Sequence, residues 1–455
     1  MDVTDPAALD AEELLAAYAA KKLNPLEALQ AVTERIARRN PEINAFAVMN
    51  PQALQAARES AKRWAWGEAK GALDGVPVTV KDLIDVAGLP TRRGSKATDP
   101  MPVEEDAPLV KKLRAAGAVI IGKTTTTEFG WKSPGDCPLH GITRNPWNVA
   151  HTPGGSSAGA GAAAAAFFGP LHVGTDAGGS VRIPAAWSGV VGVKPTFGRV
   201  PQWPLGAFGH VAVAGPMTRS VRDAALMLSV LAGHDAADPF SLPDGPRDFL
   251  AGIEDGVAGL RIGILLRPGF DAPVDADGMA ALETARRSLE QQGAKLEELA
   301  VDLPDISAVF SQIWGVALAR AMETVEVPKR GLMDAGLRRV AERFSGTLGI
   351  DVMRAEAMRV EAAHIMAALE VDAILCPCVP HAAPLAEAEL DDPVAALWRD
   401  WAPWTFLFNL TRQPAVSVPM GVNGVGLPTS VQVAAPIYRD DIALRVARAV
   451  ERGLG

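Results

Sequence analysis

The chain has 455 residues, 48% of them apolar and 21% charged, with a formal net charge of −9. This is the composition of a globular protein, long enough for two or three average domains or one large α/β enzyme. The acidic balance and the lack of a long Lys/Arg run exclude a nucleic-acid footprint.

Residues 1–66 are expected to form a helical segment packed on a larger body. Asn24-Pro25-Leu26-Glu27 is a capping box with proline in the first turn; it opens a helix to about Arg39, which Asn40-Pro41 should stop. From Gly71 the texture changes to short apolar runs punctuated by glycine and proline. Runs at 76–80, 118–121, 171–174 and 190–193 read as buried strands, with helices at 108–116 and 156–168 between them. The most membrane-like stretch, 158–173, is too short to span a bilayer and contains Pro170 and His172, so no membrane role is expected.

Beyond His234, residues 235–256 read as a linker, 260–266 as a strand and 279–292 as a helix. Residues 303–370 are largely helical, 371–376 and 415–419 are strands, and a helix at 441–452 closes the chain. This alternation predicts an α/β fold: a single α/β/α layered domain around a large mixed, mainly parallel sheet. Its expected parts are the helical segment 1–66 and a domain over 67–455. Within that domain, 71–233 is the catalytic core, about 267–370 a helical insertion on the substrate side, and the last strands return to the sheet.

Chemistry concentrates in three stretches. In Gly178-Gly179-Ser180, the glycines let main-chain N–H groups approach a substrate oxygen. Ser180 is the candidate nucleophile, and the amides of Ala177, Gly178, Gly179 and Ser180 are the candidate oxyanion donors. Alone, the stretch reads better as an ordinary glycine turn with a solvated serine. Gly154-Gly155-Ser156-Ser157 opens the Ala-rich helix, where one serine suffices as a cap and a second is left over. Lys81 ends the apolar run 76–80, where desolvation lowers an amine's pKa toward that of a base; the plainer alternative is a lysine paired with Asp82.

Other signals carry less. Gly117-Ala-Val-Ile-Ile-Gly-Lys-Thr124 fits the pattern of a phosphate-binding loop, but its middle residues read as a strand. Seven histidines are scattered without metal-ligand spacing, so neither a metal nor any other cofactor is expected. His140, His151 and His210 are the ones placed to reach a pocket, although surface or core roles suit each better. An odd count of three cysteines, with no secretory pattern, argues for reduced thiols and a cytoplasmic location. Cys376-Pro377-Cys378 is one residue short of a redox pair and reads as filler at a strand end. Trp398, Trp401 and Trp404 recur at three-residue spacing, and the loop 202–209 is rich in Pro, Gly and aromatics. Trp131, Gly155, Ile183, Trp203, Phe208 and Trp404 are the candidate substrate-pocket residues.

The set resembles the amidase signature family. The likeness rests on Gly75-Val-Pro-Val-Thr-Val-Lys81-Asp82, Gly122-Lys-Thr124, Glu128-Phe129 and Asn145-Pro-Trp147. It continues through Pro153-Gly-Gly-Ser-Ser-Ala-Gly159, Gly174-Thr-Asp-Ala-Gly-Gly-Ser-Val-Arg-Ile-Pro-Ala185 and Gly192-Val-Lys-Pro-Thr196. Ala158 departs from the glycine common in the family and leaves the catalytic positions untouched. The resemblance implies the amidase signature fold and a triad of Ser180 as nucleophile, Ser156 as bridging cis-serine and Lys81 as base. It also implies supporting roles for Ser157, Asp176 and Arg182. The expected activity is hydrolysis of C–N bonds in small-molecule amides, and in carbamates (urethanes) with apolar or aryl groups, by a monomer or homodimer. Two alternatives stay open: the glutaminase subunit of a tRNA-dependent amidotransferase, and a non-catalytic binding protein on the same scaffold.

Overall fold

A computed structural model describes residues 5–245, 247–388, 401 and 403–454. In chain order its strands are β1 (Phe46–Met49), β2 (Pro77–Lys81), β3 (Val119–Thr124), β4 (Asp136–Cys137), β5 (Gly141–Ile142) and β6 (Leu171–Asp176). They continue as β7 (Val191–Lys194), β8 (Val213–Thr218), β9 (Arg261–Ile264), β10 (Lys295–Glu298), β11 (Ala373–Pro377), β12 (Ala415–Val422) and β13 (Pro428–Ala434). The β4–β5 pair is a small separate ribbon. The other eleven form one sheet in the order β1-β3-β2-β6-β8-β7-β12-β13-β11-β9-β10.

The sheet is mixed. Parallel pairing holds in two blocks, β3-β2-β6 and β11-β9-β10. The strands joining the blocks, and the edge strand β1, pair antiparallel. For β12 and β13 a short connection enforces this, since only residues 423–427 separate them and leave no room for a crossover. Strands β2 and β3 are buried along their length, which is why each opens on a mostly apolar run before its lysine.

Strand β8 escapes that sequence reading because Gly215-Pro216 interrupts it. Both residues are accommodated by position. Pairing with β7 ends at Met217, before the proline, and a Cβ at Gly215 would lie 1.9 Å from the Val193 carbonyl oxygen. The helix opened by Pro25 also departs from expectation. It continues past Pro41 to Ile43 and stops at Asn44, whose φ of 58° lets its N–H reach Asn40 O at 2.7 Å. Pro41 is tolerated because it falls in the last turn, where Asn40 Oδ1 also accepts the Ala45 N–H at 2.8 Å.

The Ala-rich helix Ala158–Ala165 is buried in all but its last residue. Its small residues set the distance of approach: a Cβ on Gly159 would sit 2.2 Å from Ala45 O and 2.5 Å from Thr125 N. Helices Ile306–Glu323, Ala335–Phe344 and Gly349–Ala367 build a second apolar body in which Phe208 stacks on Trp314 at 3.9 Å between ring centres. The described residues of 235–256 form no helix or strand, yet Asp238 Oδ2 accepts the Gln202 N–H at 2.9 Å and straps the loop that follows β7. No helix among the described residues is long and apolar enough to cross a membrane.

Gly159→Val should destabilise the fold at or beyond the upper end of the ~1–3 kcal/mol typical of overpacking, because backbone rather than a mobile side chain blocks the new methyls. A thermal melt against Ala163→Gly, a change in the same helix that adds no bulk, checks it.

Candidate active site

Strand β2 delivers Lys81 to the interior at its carboxyl end, beside the carboxyl end of β6, which carries Thr175 and Asp176. The Lys81 side chain is fully buried. Its Nζ lies 2.7 Å from Ser156 Oγ, 2.8 Å from Ser157 Oγ and 3.3 Å from the Thr175 carbonyl oxygen. Burial pushes the Lys81 pKa well below its ordinary value, against the opposing pull of the Asp176 charge. Asp82 is not its partner. That carboxylate pairs with Lys123 at 2.8 Å, and Lys123 in turn donates to Pro90 O and Thr91 Oγ1 at 2.8 and 2.7 Å. The lysine of the apparent phosphate-binding loop is therefore consumed within the fold, at the end of β3.

A neutral amine has two N–H donors and one lone pair, and Lys81 has three neighbours. The Thr175 carbonyl can only accept. Ser157 Oγ donates to Thr175 O at 3.2 Å and accepts from Thr175 N at 3.2 Å, so its own proton is committed. That leaves Ser156 as the neighbour with a proton to offer the lone pair. The Gly155–Ser156 peptide is cis, and Ser156 sits beneath Gly130, where a Cβ would come within 3.2 Å of its hydroxyl.

Ser180 Oγ is buried and makes no hydrogen bond among the described residues, including none to Ser156. The two serines nevertheless line the same cavity. The Ser157 N–H donates to Ser180 O at 3.1 Å and ties their loops together. Of the four candidate oxyanion donors, Gly179 is excluded as the loop stands, because its N–H is bound to Asp176 Oδ1 at 2.8 Å. The amides of Ala177, Gly178 and Ser180 find no acceptor among the described residues. Thr405 Oγ1 holds the Gly178 carbonyl at 2.6 Å, fixing the peptide plane between Gly178 and Gly179.

Asp176 and Arg182 form a fully buried pair that shapes this loop. Arg182 Nε and Nη2 reach the two carboxylate oxygens at 3.0 and 2.9 Å, and the Val181 N–H adds a third contact at 3.1 Å. Burial works against the Asp176 charge, yet Arg182 and Asn409 outweigh it and hold the carboxyl well below the usual range. The remaining guanidinium donors go to Thr405 O, Gln432 Oε1 and Asn409 Oδ1 at 2.6–2.8 Å. Thr405, Asn409 and Gln432 went unread in the sequence. They lie more than 220 residues beyond Arg182, with no local pattern to mark them.

The cavity wall is mostly apolar, with Leu83, Ile84, Leu109, Phe129, Trp203 and Phe208 among its residues. Trp203 and Phe208 were expected there. Trp131, Gly155, Ile183 and Trp404 do not line it. Ile183 packs beneath Gly179, Gly155 is enclosed by Lys132 O and Ser133 O, and Trp404 donates to Leu266 O at 3.3 Å. Trp131, Ile183 and Trp404 belong to the apolar cluster behind the wall, because side chains of that size there fill the core. Trp398 lies outside the described residues. Cys376 and Cys378 are buried and reduced, with burial pushing their thiols up to about 12 and about 11.

None of the three candidate histidines lines the cavity: His210 faces Glu356 at 3.0 Å, and His151 Nδ1 faces Ala383 O at 2.7 Å. No group of three or more potential metal ligands occurs among the described residues. Glu128, beside the cavity-lining Phe129, is buried, and its carboxyl is pushed up to about 7 against the hydrogen bonds of Ser95 and the Asp334 amide.

Residues 27–444 match the Amidase family. An acylamidase of Rhodococcus erythropolis is 36% identical over 450 residues, covering 96% of this chain and 94% of that one. A glutamyl-tRNA(Gln) amidotransferase subunit of Pseudomonas fluorescens is 34% identical over 467 residues, covering 96% and 95%. Among solved structures, a bacterial aryl acylamidase of the amidase signature family superimposes with a TM-score of 0.90 at 27% identity, covering 98% and 96%. A 6-aminohexanoate cyclic dimer hydrolase gives 0.89 at 30% identity, covering 99% and 98%.

Asp176→Asn removes one charge of a buried pair and should cost ~3–5 kcal/mol of stability, read as a lowered urea midpoint. Lys81→Ala should slow turnover roughly 10²–10⁴-fold. Wild-type activity should rise with pH as Lys81 loses its proton, and level off above its lowered pKa. Glu128, pushed up to about 7, also changes charge on the way to alkaline pH, so the assignment of that rise to Lys81 requires a Glu128→Gln profile that keeps it.

Proposed function

The chain belongs to the amidase signature family of C–N hydrolases, and from that premise we propose that it cleaves amides of apolar or aryl groups through an acyl-enzyme on Ser180. The observation that carries the reading is the 2.7 Å contact between the buried, base-shifted Lys81 and Ser156, at the floor of the cavity that also holds Ser180. Lys81 takes the Ser156 proton as Ser156 takes that of Ser180, and Ser180 Oγ bonds to the carbonyl carbon. The amides of Ala177, Gly178 and Ser180 face the developing oxyanion, and each such donor is worth roughly 3–4 kcal/mol of barrier. The proton then returns through Ser156 to the amide nitrogen, the C–N bond breaks, and water hydrolyses the ester by the same relay.

The apolar wall supports a substrate with a hydrocarbon or aryl body, in keeping with the acylamidase among the relatives. Carbamates present the same carbonyl to Ser180 and fall within the proposal. A second reading, the glutaminase subunit of a tRNA-dependent amidotransferase, is favoured by several relatives of that name. The residues around the serines, Leu83, Ile84, Leu109, Phe129, Trp203 and Phe208, favour a hydrocarbon or aryl body next to the scissile bond, which weighs toward the first reading.

A fluorophosphonate probe should label Ser180, and Ser180→Ala should abolish both labelling and anilide hydrolysis. Ser156→Ala should lose activity by orders of magnitude while melting as the wild type does. An unlabelled wild-type Ser180 would instead indicate a binding protein. Glutaminase activity that emerges only with partner subunits, in an enzyme inert to anilides and aryl carbamates, would decide for the second reading.

A further inference from the structure

Two charged side chains interrupt the apolar wall of the catalytic cavity, Asp85 and Arg93. Both are half-buried. Neither makes an ion pair or a side-chain hydrogen bond among the described residues, with each other or elsewhere. Asp82, the carboxylate nearest Arg93 through the backbone, is already spent on Lys123.

The main chain sets Arg93 in place. Its φ is 54°, and Phe129, also in the cavity wall, has a φ of 50°. Their backbones are joined, with the Phe129 N–H donating to Arg93 O at 2.9 Å and the Arg93 N–H donating to Asp82 O at 3.1 Å. Left-handed backbone at two bonded non-glycine residues is uncommon, and such departures cluster where ligands are held.

Asp85, Arg93 and Phe129 also line a second cavity, together with Thr98 and Asp99. In that cavity Lys329 is neutralised by Glu326 at 3.0 Å. The three shared residues thus stand at the boundary between the serine chamber and a more polar outer space. Arg93 brings only donors to that boundary and Asp85 only acceptors. An alkyl end leaves both unmatched. A lone carboxylate matches Arg93 but faces Asp85, and a lone ammonium does the reverse.

We propose that Asp85 and Arg93 select amide substrates whose end remote from the scissile bond carries a dipolar group, offering an acceptor to Arg93 and a donor to Asp85. A second amide or an amino-acid end has that chemistry. The inference rests on the cavity being the amide-hydrolysing site proposed above.

The test uses acyl anilides with spacers of graded length, ending in methyl, carboxamide, α-amino acid, carboxylate or ammonium. Each is assayed with the wild type, Arg93→Gln, Asp85→Asn and the double variant. At the best spacer, kcat/KM for a carboxamide or amino-acid end should exceed that for methyl by roughly tenfold or more, mostly through KM. The better of those two arms tells a neutral dipole from a zwitterion. Either single variant should bring the ratio near one, and the double variant should add little more, as expected of groups that hold one ligand jointly. Because the ratio is taken within one enzyme, a general loss of activity or fold does not imitate it. A wild-type ratio near one with brisk anilide turnover would overturn the proposal, as would faster turnover of the carboxylate or ammonium ends. A wild type inert to every anilide would strike at the amidase reading itself, and this inference would fall with it.

Discussion

An amine held in an apolar interior, enclosed by Ser156, Ser157 and Thr175, is the constraint around which the rest of the molecule is arranged. Water would return Lys81 to its ordinary charged state, and a carboxylate in contact would do the same. The fold denies it both. It is fully buried on a central strand, and the adjacent Asp82 is turned to a different lysine. The nearest strong negative charge, Asp176, is committed to Arg182. Burial thereby lowers the Lys81 pKa and favours the uncharged amine, whose lone pair can accept a hydroxyl proton.

Support for that arrangement comes from elements distant in sequence. The carboxyl ends of β2 and β6 lie side by side, so one strand supplies the proposed base and the next the loop that leads to Ser180, the proposed nucleophile. The small-residue helix Ala158–Ala165 follows directly on Ser156 and Ser157, and only glycine at 159 permits its close approach to Ala45 and Thr125. From the far end of the chain, Thr405, Asn409 and Gln432 fix the Asp176–Arg182 pair. The nucleophile loop is braced on both sides, which suits a site that must hold donors in place before charge develops.

Charge placement then separates chemistry from selection. At the floor of the cavity the ionic groups are paired or neutral, and the serines stand among apolar side chains. At its boundary, the half-buried Asp85 and Arg93 make no ion pair or side-chain hydrogen bond among the described residues. A cavity of this kind binds hydrocarbon by exclusion and recognises polar groups only at one end.

The α/β class and most strands and helices of the core were legible in the chain alone, because buried strands such as 77–81 and 119–124 need continuous apolar runs. Lys81, Ser156 and Ser180 were marked there too, since glycine-flanked serines and a lysine ending an apolar strand are local patterns. Strand β8, the continuation of a helix through Pro41, and the antiparallel joining strands were settled by neighbours and by connection length, which no local window contains. Which large side chains face substrate was likewise a matter of packing. Trp131, Ile183 and Trp404 have the same composition signal as Trp203 and Phe208, but they fill the layer behind the wall. Burial and partnership are properties of space: the engagement of Gly179 by Asp176, and the isolation of Asp85 and Arg93, arise from atoms brought together across the fold rather than along the chain.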